Sequence, residues 1–506
     1  MAIPASNSPP DPVPDPVLVV FNRFGLGARP GDRDRIAGDP RGYLKSELRQ
    51  PDIAMISLDD PAYPNLPGST SAIQASMAAN FQRKLDRERM AAAVGQPATA
   101  NAQNMPAQNM RAQTTPAPIM PAPPVPPPAA PTKPVPPVEA TLFRAEAQAR
   151  FDKALRAQGG FVERLVYFWS NHFCVSVAKD NIVRASAGAF EREAIRPFVL
   201  GRFADMLMAV ERHPAMLFYL DNQQSIGPDS RAGKNRKRGL NENLARETLE
   251  LHTLGVGSGY TQADVTSFAR ILTGWTMAGR EGRLGEPGSS VFNANAHEPG
   301  DAVLLGKTYP AGGMGQAEAA LDDIARHPAT ARHIATKFAR HFISDDPPAA
   351  AVARLAKVFA KSDGNLRALA AALIDMPEAW STPLAKMRSP VDYVAAIRRA
   401  AGPGPNDPGQ SLAWLNALGE PLWQPPGPNG FSDLTASWAS AEGMKVRLDI
   451  AWQAARQARD IGNPSDMLDA VIGSSASPET RQAVARAESK QQGLALLMMA
   501  PEFQRR

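Results

Sequence analysis

The chain has 506 residues, 43% hydrophobic and 21% charged, enough for one large buried core or for two to four domains. Its formal net charge of +5 is small for this length and argues against a dedicated nucleic-acid binder. A single cysteine, Cys174, excludes an intrachain disulfide and a Cys-rich zinc site.

The first residues, "MAIPASNSPPDPVPDP", lack a basic region followed by an apolar core, so no export signal is expected. No stretch approaches the roughly 18 apolar residues of a membrane span. Residues 1–94 read as an N-terminal segment that packs on the main body, with helical pieces near Pro30–Arg49 and Ser71–Val94. Residues 95–138 form a Pro- and Ala-rich insertion with too little apolar bulk for a core, and read as disordered. Residues 139–506 read as a mainly α-helical domain. Within it, "GFVERLVYFWSNHF" is apolar enough to be a buried helix, and helices broken near Pro197 and Gly201 follow. Thr261 looks like the cap of a helix, "SSVFNANAHEPGDAVLLGKTYP" like one or two short strands or a hairpin, and Glu420–Asp433 like an irregular loop.

The stretch "GLNENLARETLELHTLGV", Gly239–Val256, concentrates the polar chemistry. At 100° per residue Glu242, Asn243, Arg246, Glu247, Glu250 and Thr253 share one broad helical sector, and Arg246 stands four residues from both Glu242 and Glu250. Two readings follow. The sector is either a solvated, salt-bridged face or the wall of a cleft in which carboxylates divide into a protonated and an ionised set. Asn171 and His172 end the buried helix and suit a polar cluster reaching a cleft, although a histidine there is more often a core residue. Cys174 reads as a small core side chain. Asp221 and Asn222 suit either a helix stop or a substrate-contacting loop. The basic run "RAGKNRKRG" reads as a solvated loop able to meet an anionic polymer. His297, beside Glu298 and Asp301, matches no strong metal-ligand spacing. His333, Lys337 and His341 read as a solvated helix face. Nucleotide, zincin and α/β-hydrolase motifs are missing from the sequence.

Several of these blocks, "FNRFGLGARPGD", "FWSNHF", "GLNENLARETLELHTLGVGSGYTQADVTSFARILTGW" and "HPATARHIATKFARHFISDDPP" among them, resemble the DUF1800 family of bacterial proteins from about Val17 onward. The resemblance implies a large, mainly helical protein, often exported to the periplasm or beyond. It also implies genes beside those of DUF1501 proteins, which look like sulfatases. It moves the balance for the Glu242–Glu250 face toward a cleft.

Two functions from different classes are therefore expected. One is hydrolysis of a glycoside or polysaccharide by paired carboxylates, with Glu242, Glu247 and Glu250 catalytic. Asn171, His172, Asp221, Asn222, Asn241, Asn243, Arg246, His252, Trp275 and His297 would bind substrate, and Trp169, Trp275 and Trp423 would stack on sugars. No cofactor or metal is expected. The other is a non-catalytic binding or assembly protein that works with a DUF1501-type partner, in which Arg246 and its carboxylates fix helix packing. Composition makes one prediction already: deleting Gly95–Pro137 leaves the melting temperature within a few degrees of the full chain, as read by circular dichroism.

Overall fold

The computed structural model describes residues 14–57, 66–94, 135–234, 239–402, 407–458 and 462–506. The Pro-rich insertion, apart from its last residues, and Asn235–Arg238 of the basic run lie outside them. Among the described residues the chain is built from helices, with two small antiparallel sheets. No helix there is long and apolar enough to cross a membrane.

The helices that position the site are α1 (Val138–Arg156), α2 (Phe161–His172), α3 (Asn181–Phe190) and α4 (Phe203–Arg212). In α2 nearly every residue from Phe161 to Trp169 is buried, as expected of a helix apolar on all sides. Phe168, Trp169 and Phe173 pack edge-on or stacked with neighbouring rings. The N-terminal residues Val17, Phe21 and Phe24 lie in the same core as α2. A second core gathers Tyr393, Trp414, Ile450 and Phe503. The break expected near Pro197 is a π-turn over Glu191–Ile195 followed by a 3-10 turn over Arg196–Phe198.

The stretch Gly239–Val256 forms α5 (Asn243–Glu247), which runs directly into a π-turn over Thr248–His252. Helix α6 (Gln262–Leu272) starts at Thr261, where a capping box pairs Thr261 with Asp264. Two hairpins then appear. Strand β1 (Trp275–Met277) pairs with β2 (Ser290–Phe292), and β3 (Ala302–Leu304) with β4 (Lys307–Tyr309). Helix α7 (Pro328–Phe342) returns the chain to the back of the π-turn. Glu420–Asp433 has no regular structure.

Charged side chains run through this core. Arg196, 1% exposed, bonds Glu163 and Glu191, each at 2.9 Å, and Glu191 also accepts from Arg150 at 2.8 Å. Arg164 pairs with Asp392 at 3.0 Å, tying α2 to the C-terminal helices. Such pairs contribute little against apolar replacements, but removing one partner strands a buried charge. Arg196→Ala is therefore expected to lower the unfolding free energy by about 3–5 kcal/mol, measured by denaturant titration. Arg212→Ala, at a pair where both side chains are over a third exposed, should change it by less than about 1 kcal/mol.

Candidate functional site

Arg246 is the clamp of the carboxylate face. It reaches Glu242 at 3.1 Å, Glu250 at 3.5 Å and the side-chain oxygen of Gln262 at 3.0 Å. Glu242 also accepts from Thr266 at 2.7 Å and from Gln262 at 2.9 Å. Those hydrogen bonds, and behind them Arg246, hold its carboxyl below the usual range. Glu250 meets Tyr260 as well. Glu247 differs. It is half-buried, and among the described residues nothing hydrogen-bonds it. Burial pushes its carboxyl upward, His252 opposes the shift and Glu250 adds to it. The π-turn begins at the next residue. Glu250, inside that turn, still meets Arg246, whereas Glu247, just before it, does not. Thr253, which the projection places on that face, is fully buried and donates to the carbonyl of Thr248.

Behind the turn lies a buried cluster of imidazoles. His252 Nδ1 donates to Glu211 of α4 at 2.6 Å, and its Nε2 is buried without a partner. His172 Nε2 donates to the carbonyl of His252 at 3.0 Å, leaving its Nδ1 buried and bare. His333 Nε2 donates to the carbonyl of Leu251 at 3.1 Å. Burial, then the positive charge of Lys337, holds the His172 imidazole well below its usual pKa. The same causes bring His333 down to about 4. Lys337 has no hydrogen-bond or ion-pair partner among the described residues, and burial lowers its own pKa. Its field reaches Cys174, whose thiol burial pushes up to about 12. One turn further along α7, His341 Nδ1 donates to Asp433 at 2.9 Å. Burial works against the charge of Asp433, but His341 and Arg506 outweigh it and keep the carboxylate ionised.

The face His333–Lys337–His341 is thus not solvated, contrary to the sequence expectation. It packs against the π-turn and the Pro/Gly loop, and polar side chains at helical spacing do not reveal that a second helix covers them. Glu211 and Asp433 gave no signal in isolation, because their partners, His252 for the first and His341 and Arg506 for the second, are distant in sequence.

Most of the residues expected to bind substrate hold the backbone instead. Asn171 both donates to the carbonyl of Phe431 at 2.9 Å and accepts from its N–H at 2.8 Å. Gly430, at φ +76°, lies so close that an added Cβ would stand 2.4 Å from the carbonyl oxygen of Asn171. Asn222 is buried and donates to the carbonyls of Leu272 and Trp275. Asp221 pairs with Lys179 at 2.6 Å. Asn241 caps the N–H of Asn243, which is itself exposed. His297 Nδ1 meets the carbonyl of Thr273 at 2.8 Å, and Glu298 accepts from the N–H of Asp229. Trp169 and Trp275, expected as sugar platforms, are 1% and 3% exposed and belong to the core. Trp423 is half-buried and turned toward Glu191. Among the described residues no three His, Cys, Asp or Glu side chains stand together as a metal site.

Cavities occur elsewhere. One of about 850 Å³ lies beside Arg398, one of about 760 Å³ runs along the Pro/Gly loop, and one of about 380 Å³ adjoins Glu47. A small one of about 60 Å³ touches Asn171 and Cys174. None of these four is lined by Glu242, Glu247 or Glu250.

The model of the family described as "Protein of unknown function (DUF1800)" matches residues 19–505. The chain belongs to the DUF1800 family. Comparison of this DUF1800 protein with curated proteins and with solved structures finds no match.

The neutral, buried His333 makes the fold acid-sensitive in a defined window. With a folded pKa of about 4 against about 6.5 in the unfolded chain, the unfolded state alone takes up the proton as pH falls from 6.5. This contribution is fully present above pH 6.5 and is lost progressively towards pH 4, by up to about 3 kcal/mol. Melting curves of His333→Gln should therefore fall less steeply across that window than those of the wild type.

Proposed function

We propose that this DUF1800 protein is a hydrolase with Glu247 as its proton donor. Glycosides are the substrate class that paired carboxylates serve. The observation that supports this is the division of one short helix. Arg246 engages Glu242 and Glu250, whereas Glu247 is half-buried with no hydrogen bond and a carboxyl biased toward protonation. A protonated carboxylic acid can give its proton to a leaving glycosidic oxygen. A neighbouring ionised carboxylate, with Glu250 the nearer in sequence, then activates water or attacks the sugar carbon as the C–O bond breaks.

A second reading has its own support. The Glu242–Arg246–Gln262–Thr266 network is closed within the chain, and two of the tryptophans expected to stack on sugars are core residues. On that reading the protein binds or assembles, with a DUF1501-type protein as partner.

A glycan panel assayed for released reducing ends separates the two. Glu247→Gln and Glu250→Gln should each reduce turnover by at least about a hundredfold, with melting temperatures close to wild type. Wild-type protein that cleaves nothing on the panel, or variants that both unfold readily, would favour the binding or assembly role.

A further inference from the structure

The largest of the described cavities holds an arginine with no anionic partner among the described residues. Helix α8 (Pro390–Ala401) ends at its wall, near the C-terminus of α1 and the helix Pro464–Val471. Arg398 is 7% exposed. Its Nε donates to Ser411 at 3.3 Å and its Nη2 to Gln410 at 2.7 Å, and the guanidinium stands 4.3 Å from the centre of the Trp414 ring. Nη1 makes no hydrogen bond among the described residues, and no carboxylate pairs with the group. Burial brings its pKa down to about 10, so it remains charged at neutral pH. A buried cation without a counter-ion is costly, and a site that retains one is suited to an anion from outside.

Two other arginines of the wall are already satisfied. Arg399 is spent on the carbonyls of Gly27, Ala154, Ala157 and Gln158, and Arg29 on Asp32. Arg156 and Asn463 also line the space, and Leu155, Met467, Ala470 and Leu494 give it an apolar side. Asp152 and Asp466 also reach it, and neither pairs with Arg398. Two carboxylates on the wall disfavour a multiply charged ligand. A single negative charge that reaches Nη1, with a hydrocarbon body along the apolar side, meets each of these constraints.

We propose that this cavity binds an amphiphilic monoanion, a carboxylate with an aliphatic chain, whose head group engages Arg398. The volume of about 850 Å³ falls in the range of small-molecule sites and leaves room for the chain. The proposal is independent of the hydrolase reading, since the cavity contains none of its carboxylates.

Calorimetric titration of the full chain with octanoate, acetate and 1-octanol tests it. Octanoate should bind saturably at one site per chain. Acetate, which lacks the chain, and 1-octanol, which lacks the charge, should each bind at least tenfold more weakly. Arg398→Gln should weaken octanoate at least tenfold and leave 1-octanol unchanged. Met467→Trp, which fills the apolar side and leaves Arg398 in place, should also abolish octanoate binding and covers the case in which the arginine variant does not fold. The proposal is overturned by absent or non-saturable octanoate binding, by 1-octanol or acetate binding as tightly, or by octanoate binding unchanged in either folded variant.

Discussion

Glu191 is the constraint around which the candidate site is organised. A fully buried carboxylate must be paired and hydrogen-bonded to stay ionised. Burial alone would raise its pKa, yet Arg150 and Arg196 hold it below the usual value. Its partners come from separate parts of the chain: Arg150 of α1, Arg196 beyond the π-turn, Ser170 of α2 and Trp423 of the Pro/Gly loop. Satisfying one carboxylate therefore sets the position of α2 against the loop. Asn171 then fastens the loop, Cys174 and Ser176 donate to its carbonyls, and His172 meets the carbonyl of His252. The imidazole cluster inherits its geometry from that lattice.

Among the described residues three π-turns recur at the polar parts of this core, over Val20–Phe24, Glu191–Ile195 and Thr248–His252. Each buries charged or polar side chains: Asn22 and Arg23, Glu191 and Arg192, Thr248 and His252. One extra residue per turn shifts the side-chain phase, so a helix can send apolar residues to the core before the turn and a polar group inward after it. Beside Thr248–His252 the two carboxylates differ in their partners: Arg246 engages Glu250 and leaves Glu247 without a hydrogen bond among the described residues.

The phase shift also explains what could be read in the sequence. The i,i+4 spacing of Glu242, Arg246 and Glu250 predicted the clamp, Thr261 predicted its cap, and the Gly- and Asn-rich texture after Trp275 predicted short strands. These depend on local rules. The π-turn does not, because it arises where tertiary packing outweighs the ordinary helical hydrogen bond. Buried Arg164, Arg196 and Arg388 look in sequence like surface charges, since their partners lie tens to hundreds of residues away. The same holds for Asn171, Asn222 and His297. Their amides and imidazole suited a ligand, and the structure uses them on backbone carbonyls.

The reach of the N-terminal contacts has a consequence for how the chain folds. Arg23 donates to the carbonyls of Ala379 and Pro383, Asn22 accepts from Arg388, and Phe24 packs on Phe342 and Trp380. Contacts spanning more than 300 residues close late, because loop entropy must be lost before they reward it. During synthesis Phe24 can meet Phe161 once α2 is made, but its partners Phe342 and Trp380 and those of Arg23 appear much later. An apolar segment whose burial is completed late is open to misassembly in the interval.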